Sequence, residues 1–174
     1  MSSVIAIVSF MPTIRLTSIL NWYIIYNMKI LIMGLSGSGK TTLAKTLKNK
    51  LKLQNFTVTH FNADEVRKIY DDWDFSKDGR IRQAKRMEVL ANESVSDFVI
   101  CDFIAPTNEI RELFNTNITI WMDTIEKSLY EDTDKMFQKP TKYDIQVTEK
   151  NAQKWSDIII NYIMENNHGY SIRI

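Results

Sequence analysis

Eight consecutive residues, Gly34-Leu35-Ser36-Gly37-Ser38-Gly39-Lys40-Thr41, join three glycines to a lysine and a hydroxyl. That spacing suits one task, the grip of a polyphosphate. Glycines let successive backbone N–H groups turn inward around phosphate oxygens, and a helix starting at the lysine adds further N–H groups and a favourable dipole. Lys40 is expected to reach the β- and γ-phosphates, and Thr41 to ligate Mg²⁺. Thr42 continues the same turn. The flanks are the right ones: an apolar run, Lys29 to Met33, comes before, and a helix-forming stretch follows from Thr42 to Leu53. No Asn-Lys-x-Asp guanine-recognition pattern is present, which favours ATP as the nucleotide.

Other groups fall where the ends of further strands are expected. Asp64 and Arg67, in Asn62-Ala63-Asp64-Glu65-Val66-Arg67, are three apart and share one face of a helical turn. The carboxylate could orient or deprotonate an acceptor hydroxyl, and the guanidinium could grip an anionic acceptor. Asp102 ends the run Val99-Ile100-Cys101 and is a candidate Mg²⁺ or acceptor contact. Asp64 and Asp102 therefore compete for the role of general base. Phe75 stands in the polar stretch Asp71 to Gly79, either as a platform for a purine or as a packing anchor. Arg80, Arg82, Lys85 and Arg86 follow it, and at least one is expected to point over the strand ends. His60 reads as structural, and Cys101 as buried and inert.

To position these groups the chain must alternate strands and helices. Strands are expected at 29–33, 56–61, 98–101, 118–122 and 144–147. Helices are expected at 40–53, 63–70, 80–96, 106–114, 124–131 and 149–165. The helix over 80–96 would bury Ala84, Met87, Leu90, Ala91 and Val95, and Pro106 would occupy a first helical turn. The continuously apolar third strand is expected at the centre of the sheet. The fold class is α/β, a P-loop nucleoside triphosphate hydrolase fold with five parallel strands and helices on both faces. Ligands then sit beyond the carboxyl ends of the strands. The segment 132–143 reads as a water-excluding lid, with Lys135, Lys139 and Lys142 as phosphate neutralisers.

At 174 residues with 22 basic and 21 acidic side chains, the chain has the size of one domain and a net charge of +1. That balance gives no bulk attraction to long nucleic acid or to an anionic membrane. A single cysteine suits a reducing cytoplasm. Residues 1–27 carry one charged side chain, Arg15, and no run of the roughly 20 apolar residues that spans a bilayer. They read as an apolar extension ahead of a kinase domain at 28–174, with Met28 as the expected native start.

Taken together, these residues resemble the adenylylsulfate kinases, a branch of the small P-loop metabolite kinases. Gly34 to Ala44 is similar to that family's P-loop and first helix. The family's Asp-Gly-Asp, two variable positions, then Arg appears as Asn62 to Arg67. Its Phe-Ser, two variable positions or acids, then Arg is matched loosely by Phe75 to Arg80. The resemblance implies that Asp64 is the acidic catalytic residue, that Arg67 and Arg80 hold the anionic part of the acceptor, and that Phe75 stacks on its adenine. Gln83 stands where the family has Asn, and Phe103-Ile104-Ala105-Pro106 resembles a Phe-Ile-Ser-Pro stretch lying beside the acceptor. Three departures stand out: Asn62 replaces an acid, the arginine-rich lid pattern is missing, and Asp102 occupies a position the family usually keeps uncharged.

The resemblance implies an ATP- and Mg²⁺-dependent transfer of the γ-phosphate to the 3′-hydroxyl of adenylylsulfate. The partner is then a small-molecule acceptor, and a homodimer is the candidate assembly. A kinase for another metabolite, nucleoside or nucleotide fits the same residues, as does a nucleotide-binding module without turnover.

Overall fold

A computed structural model describes residues 27–166; the extension anticipated over residues 1–27 lies, but for its last residue, outside the described residues. In chain order the elements are β1 (Met28–Gly34), α1 (Lys40–Leu53), β2 (Val58–Asn62), α2 (Ala63–Ile69) and α3 (Lys77–Glu93). They continue as β3 (Phe98–Phe103), α4 (Asn108–Phe114), β4 (Ile118–Met122), α5 (Glu131–Met136), β5 (Ile145–Val147) and α6 (Ala152–Asn166). The five strands form one parallel sheet in the order β2-β3-β1-β4-β5.

Residue parity divides the core. Ile30, Ile32, Phe98, Ile100, Ile120 and Met122 pack against Leu43, Leu47 and Leu51 of α1 and Ile159 and Ile163 of α6. Leu31, Met33, Val99, Cys101 and Trp121 face the other way, onto Val66, Ala84, Met87, Ala91, Ile110 and Phe114. A strand covered on both faces must be apolar at every position, which is why β1 and β3 read as unbroken hydrophobic runs. Such a run marks an interior strand but not the middle one. β1, not β3, is central, with β3 and β4 on either side.

Four expected boundaries are corrected by local hydrogen bonding. Helix α3 starts at Lys77, because Ser76 Oγ accepts from Gly79 N at 3.1 Å, and it stops at Glu93, leaving Val95 exposed. Pro106 precedes α4 rather than opening it. Thr107 is the N-cap, and the Pro106 carbonyl accepts from Gln138 N. No helix forms over 124–130. Thr124 Oγ1 donates to Ser38 O at 2.7 Å and Ser128 N to the Asp134 carboxylate at 3.1 Å, so the helix starts only at Glu131 and runs into the segment 132–143 expected to be an irregular lid. Finally, β3 extends through Asp102 to Phe103.

The loops leaving β1 and β3 diverge, one to α1 on one face of the sheet and the other to α4 on the opposite face. A crevice therefore opens between their carboxyl ends.

Candidate active site

The crevice is a cavity of about 720 Å³ reached by the ends of β1, β2 and β3 and by α5. Gly37 and Gly39 of the glycine loop have φ of 82° and 96°, in the left-handed region that favours glycine. Gly34 has a second reason to lack a side chain, since a Cβ there would lie 2.6 Å from Met122 O on β4. Ser36, Gly37, Gly39, Lys40, Thr41 and Thr42 line the cavity. Leu35 and Ser38 are buried in the loop's support instead. Helix α1 starts without a side-chain cap or an acid in its first turn, so no carboxylate competes for its leading N–H groups. Lys40 Nζ donates to Leu35 O at 2.8 Å, folded over the loop it would serve. Burial pushes its pKa down to about 8, against the opposing pull of Asp102 and Asp64.

Behind Thr41 sits a buried polar cluster. Asp102 Oδ2 accepts from Thr41 Oγ1 at 2.6 Å, and Oδ1 is 2.8 Å from His60 Nε2. Asn62 Nδ2 lies 3.1 Å from both carboxylate oxygens and from Thr41 Oγ1. The opposite end of the same amide caps α2, with Oδ1 accepting from Asp64 N and Glu65 N. Among the described residues no group of three or more His, Cys, Asp or Glu could hold a metal unaided. Thr41 and Asp102 are nonetheless hard oxygen donors beside a phosphate cradle. This suits Mg²⁺, which takes one or two protein ligands and fills its shell with water and phosphate oxygens.

Across the cavity, Arg67, Phe75 and Arg80 converge. The Arg67 guanidinium lies 4.7 Å and that of Arg80 5.7 Å from the Phe75 ring centroid. Both arginines are buried, whereas Phe75 is half exposed. Arg67 Nη1 donates to Asp72 O and Asp74 O, each at 2.9 Å. The turn supplying these carbonyls is fixed by Arg82 and Arg86, which both bond the Asp72 carboxylate and hold it well below the usual carboxylate range. So Arg82 and Arg86 support the loop while Arg80 alone of the α3 arginines lines the cavity. Burial pushes the Arg67 pKa down; Asp72 opposes that, and the like charge of Arg80 adds to it.

Asp64 lines the cavity from the exposed first turn of α2. Gln83 also lines it, but its amide donates to Ala63 O at 3.1 Å. Ile104, Ala105 and Pro106 form the facing wall, with Ala105 at φ 44°. That wall is clamped by Arg111, which donates to the carbonyls of Ala105, Pro106 and Gln138.

The lid differs from expectation. Lys135, Lys139 and Lys142 are exposed and line no part of the cavity; Lys135 pairs loosely with Glu131. Tyr130, Asp132 and Thr133 line it instead. Arg80 Nη2 donates to Thr133 Oγ1 at 3.0 Å and to Asp132 Oδ2 at 3.2 Å.

Over residues 26–148 the sequence matches the model of the adenylylsulphate kinase family. The chain belongs to that family. A probable adenylyl-sulfate kinase of Pseudomonas aeruginosa is 29% identical over 114 residues, covering 61% of this chain and 53% of that protein. The cytidine diphosphoramidate kinase of Campylobacter jejuni is 35% identical over 94 residues, covering 52% and 51%. The chain thus spans about half the length of these curated relatives. An APS kinase of Mycobacterium tuberculosis, solved with AMPPNP and APS, superposes with a TM-score of 0.68 at 19% identity, covering 79% of this chain and 97% of that one.

Set beside the adenylylsulphate kinase pattern, the acid lacking at Asn62 stands one strand away. Asn62 and Asp102 are register partners in the β2–β3 ladder. Sequence reasoning missed His60, Arg111 and Thr133 as parts of this site. His60 carried a usable signal: it is two residues before Asn62, and so on the same face of a strand. Thr133 and the Arg111 link to the lid carried none, since the partners lie 53 and 27 residues away.

Proposed function

We propose that the protein transfers the γ-phosphate of ATP to the 3′-hydroxyl of adenylylsulfate. The observation that carries this reading is the meeting of a glycine-loop phosphate cradle, the exposed Asp64 carboxylate and two buried guanidiniums in a single cavity. Arg67 and Arg80 repel each other across a shared ring, a repulsion that Asp72 offsets at Arg67, and among the described residues the one ion pair to either guanidinium comes from exposed Asp132. A bound anion relieves that repulsion, so the site favours an anionic acceptor.

In this reading the loop amides of residues 35–42 and Lys40 hold the triphosphate, and Thr41 with Asp102 holds Mg²⁺. When bound, the ion would supply charge neutralisation to the phosphates. Arg67 and Arg80 fix the phosphosulfate, Phe75 stacks on the base, and Gln83, Ile104, Ala105 and Pro106 shape the wall around it. Asp64 orients the 3′-hydroxyl and accepts its proton as the oxygen attacks the γ-phosphorus in line, while the bond from that phosphorus to the β,γ-bridging oxygen breaks and ADP leaves. Asp102 suits that role poorly, because its oxygens already accept from Thr41, His60 and Asn62. The lid segment keeps water from the γ-phosphate.

A second acceptor is favoured by one specific observation: the relative named cytidine diphosphoramidate kinase is as similar to this chain as the adenylyl-sulfate kinases are. Measuring ADP formation with adenylylsulfate, and in parallel with cytidine diphosphoramidate, tests both. Turnover with the first supports the proposal. Turnover with the second alone replaces the acceptor, and failure of Mg²⁺ and ATP to bind at all overturns the kinase reading.

A further inference from the structure

We propose that His60 is a positioning residue that holds the Asp102 carboxylate square to Thr41 and so sets the protein's affinity for the metal–nucleotide complex. The inference rests on the phosphoryl-transfer reading above and extends it to a residue outside the cavity.

Val58, His60 and Asn62 alternate onto the sheet face that α1 covers, as do Phe98, Ile100 and Asp102 of β3. His60 is paired in register with Ile100, one pleat before Asp102, so its ring reaches the carboxylate diagonally. The His60 side chain is 6% exposed and that of Asp102 fully buried. His60 does not line the cavity. It therefore acts on bound groups only through Asp102.

A carboxylate only accepts, so His60 Nε2 is the donor in the 2.8 Å bond and the tautomer is fixed with hydrogen on Nε2. Oδ1 thereby receives two donors, from His60 and Asn62, while Oδ2 receives Asn62 and the Thr41 hydroxyl. With Oδ1 anchored, the carboxylate cannot turn about its terminal bond without breaking a buried hydrogen bond. Oδ2 thus stays aimed at Thr41. The Thr41 hydroxyl donates to Oδ2 and faces Asn62 Nδ2 with one lone pair, which leaves its other lone pair for the ion. Asn62 alone is a weaker anchor, because its one amide nitrogen spans three acceptors at 3.1 Å each. Outer partners of this kind typically change metal affinity or activity by about 10–100-fold when removed.

The test compares His60→Leu, which removes the donor, with His60→Gln, whose amide can present an N–H near the place of Nε2. Mn²⁺ affinity in the presence of a non-hydrolysable ATP analogue is read by electron paramagnetic resonance, and analogue affinity in EDTA by calorimetry. Expected for His60→Leu is Mn²⁺ binding weakened by about tenfold or more, with metal-free nucleotide affinity unchanged. His60→Gln should recover most of the loss. Unchanged Mn²⁺ affinity in His60→Leu overturns the inference. So does an equal loss of metal-free nucleotide affinity in both variants, which would make His60 a packing residue only. If His60→Leu does not fold, His60→Asn, too short to reach Asp102, takes its place beside His60→Gln with the same two outcomes. A wild-type protein that binds Mn²⁺ and nucleotide but phosphorylates no acceptor overturns the proposed function and leaves the His60 comparison readable.

Discussion

Arg80, buried beneath the lid, donates through Nη2 to Asp132 Oδ2 at 3.2 Å, although the Asp132 side chain is two-thirds exposed. A lid carboxylate thus rests on the guanidinium proposed to receive the acceptor's anion. The two negative groups compete for one donor. Exposed ion pairs contribute at most about 1 kcal/mol, so the competition is mild. Asp132→Ala should lower the acceptor KM by about two- to fivefold and move kcat less. Initial-rate kinetics over a range of acceptor concentrations checks this, and an increased KM would show that Asp132 helps to hold the acceptor.

Arg67 makes a geometric demand that lysine does not meet. Its Nη1 serves two carbonyls while the plane of the guanidinium lies over Phe75. In Arg67→Lys the charge is kept but the fork is lost. We expect acceptor KM to rise by about 10–100-fold, the range for a lost hydrogen bond to a charged group. ATP KM should be nearly unchanged. An equal loss on both substrates would place Arg67 in the scaffold.

Lys40 gives a pH signature of definite sign. Its pKa is lowered from 10.5 to about 8 by burial. Between those values the unfolded chain binds more protons than the folded one, so nucleotide-free stability should rise as pH climbs from about 8 toward 10.5. Over the same interval Lys40 loses the charge that neutralises phosphate, and kcat/KM for ATP should fall by up to about tenfold per pH unit. Denaturant unfolding and steady-state rates on one buffer series test both trends. In Lys40→Met the stability rise should disappear, and turnover should be nearly abolished at every pH.

Among the described residues Arg111 is a clamp without a carboxylate partner. It holds the carbonyls of Ala105 and Pro106 on the cavity wall and of Gln138 just past the lid helix, and burial pushes its pKa down to about 10. Arg111→Leu removes the side-chain donor to the Ala105 and Gln138 carbonyls, while Pro106 O keeps Gln138 N. We expect a loss of about 1–3 kcal/mol in unfolding free energy, measured by urea titration. A higher acceptor KM should accompany it, because Ala105 and Pro106 shape the wall.

The sequence by itself determined the phosphate cradle and the α/β alternation, while Arg67, Phe75 and Arg80 are grouped only by the family resemblance. The first two depend on short spacings: glycines within six residues and apolar periods within one element. Only the tertiary structure decided what surrounds Asp102. The carboxylate lies within hydrogen-bonding distance of Thr41, His60 and Asn62 because β2 pairs with β3 in one particular register and α1 covers that face. Nothing local in the chain records that register. The lid shows the same limit, since its lysines drew attention through their charge. Ser128 and Asp134 set where the helix begins, and that start turns Asp132 and Thr133, not the lysines, toward Arg80. Periodicity and motif spacing are properties of neighbours along the backbone, whereas a carboxylate's partners are chosen by how the strands pack.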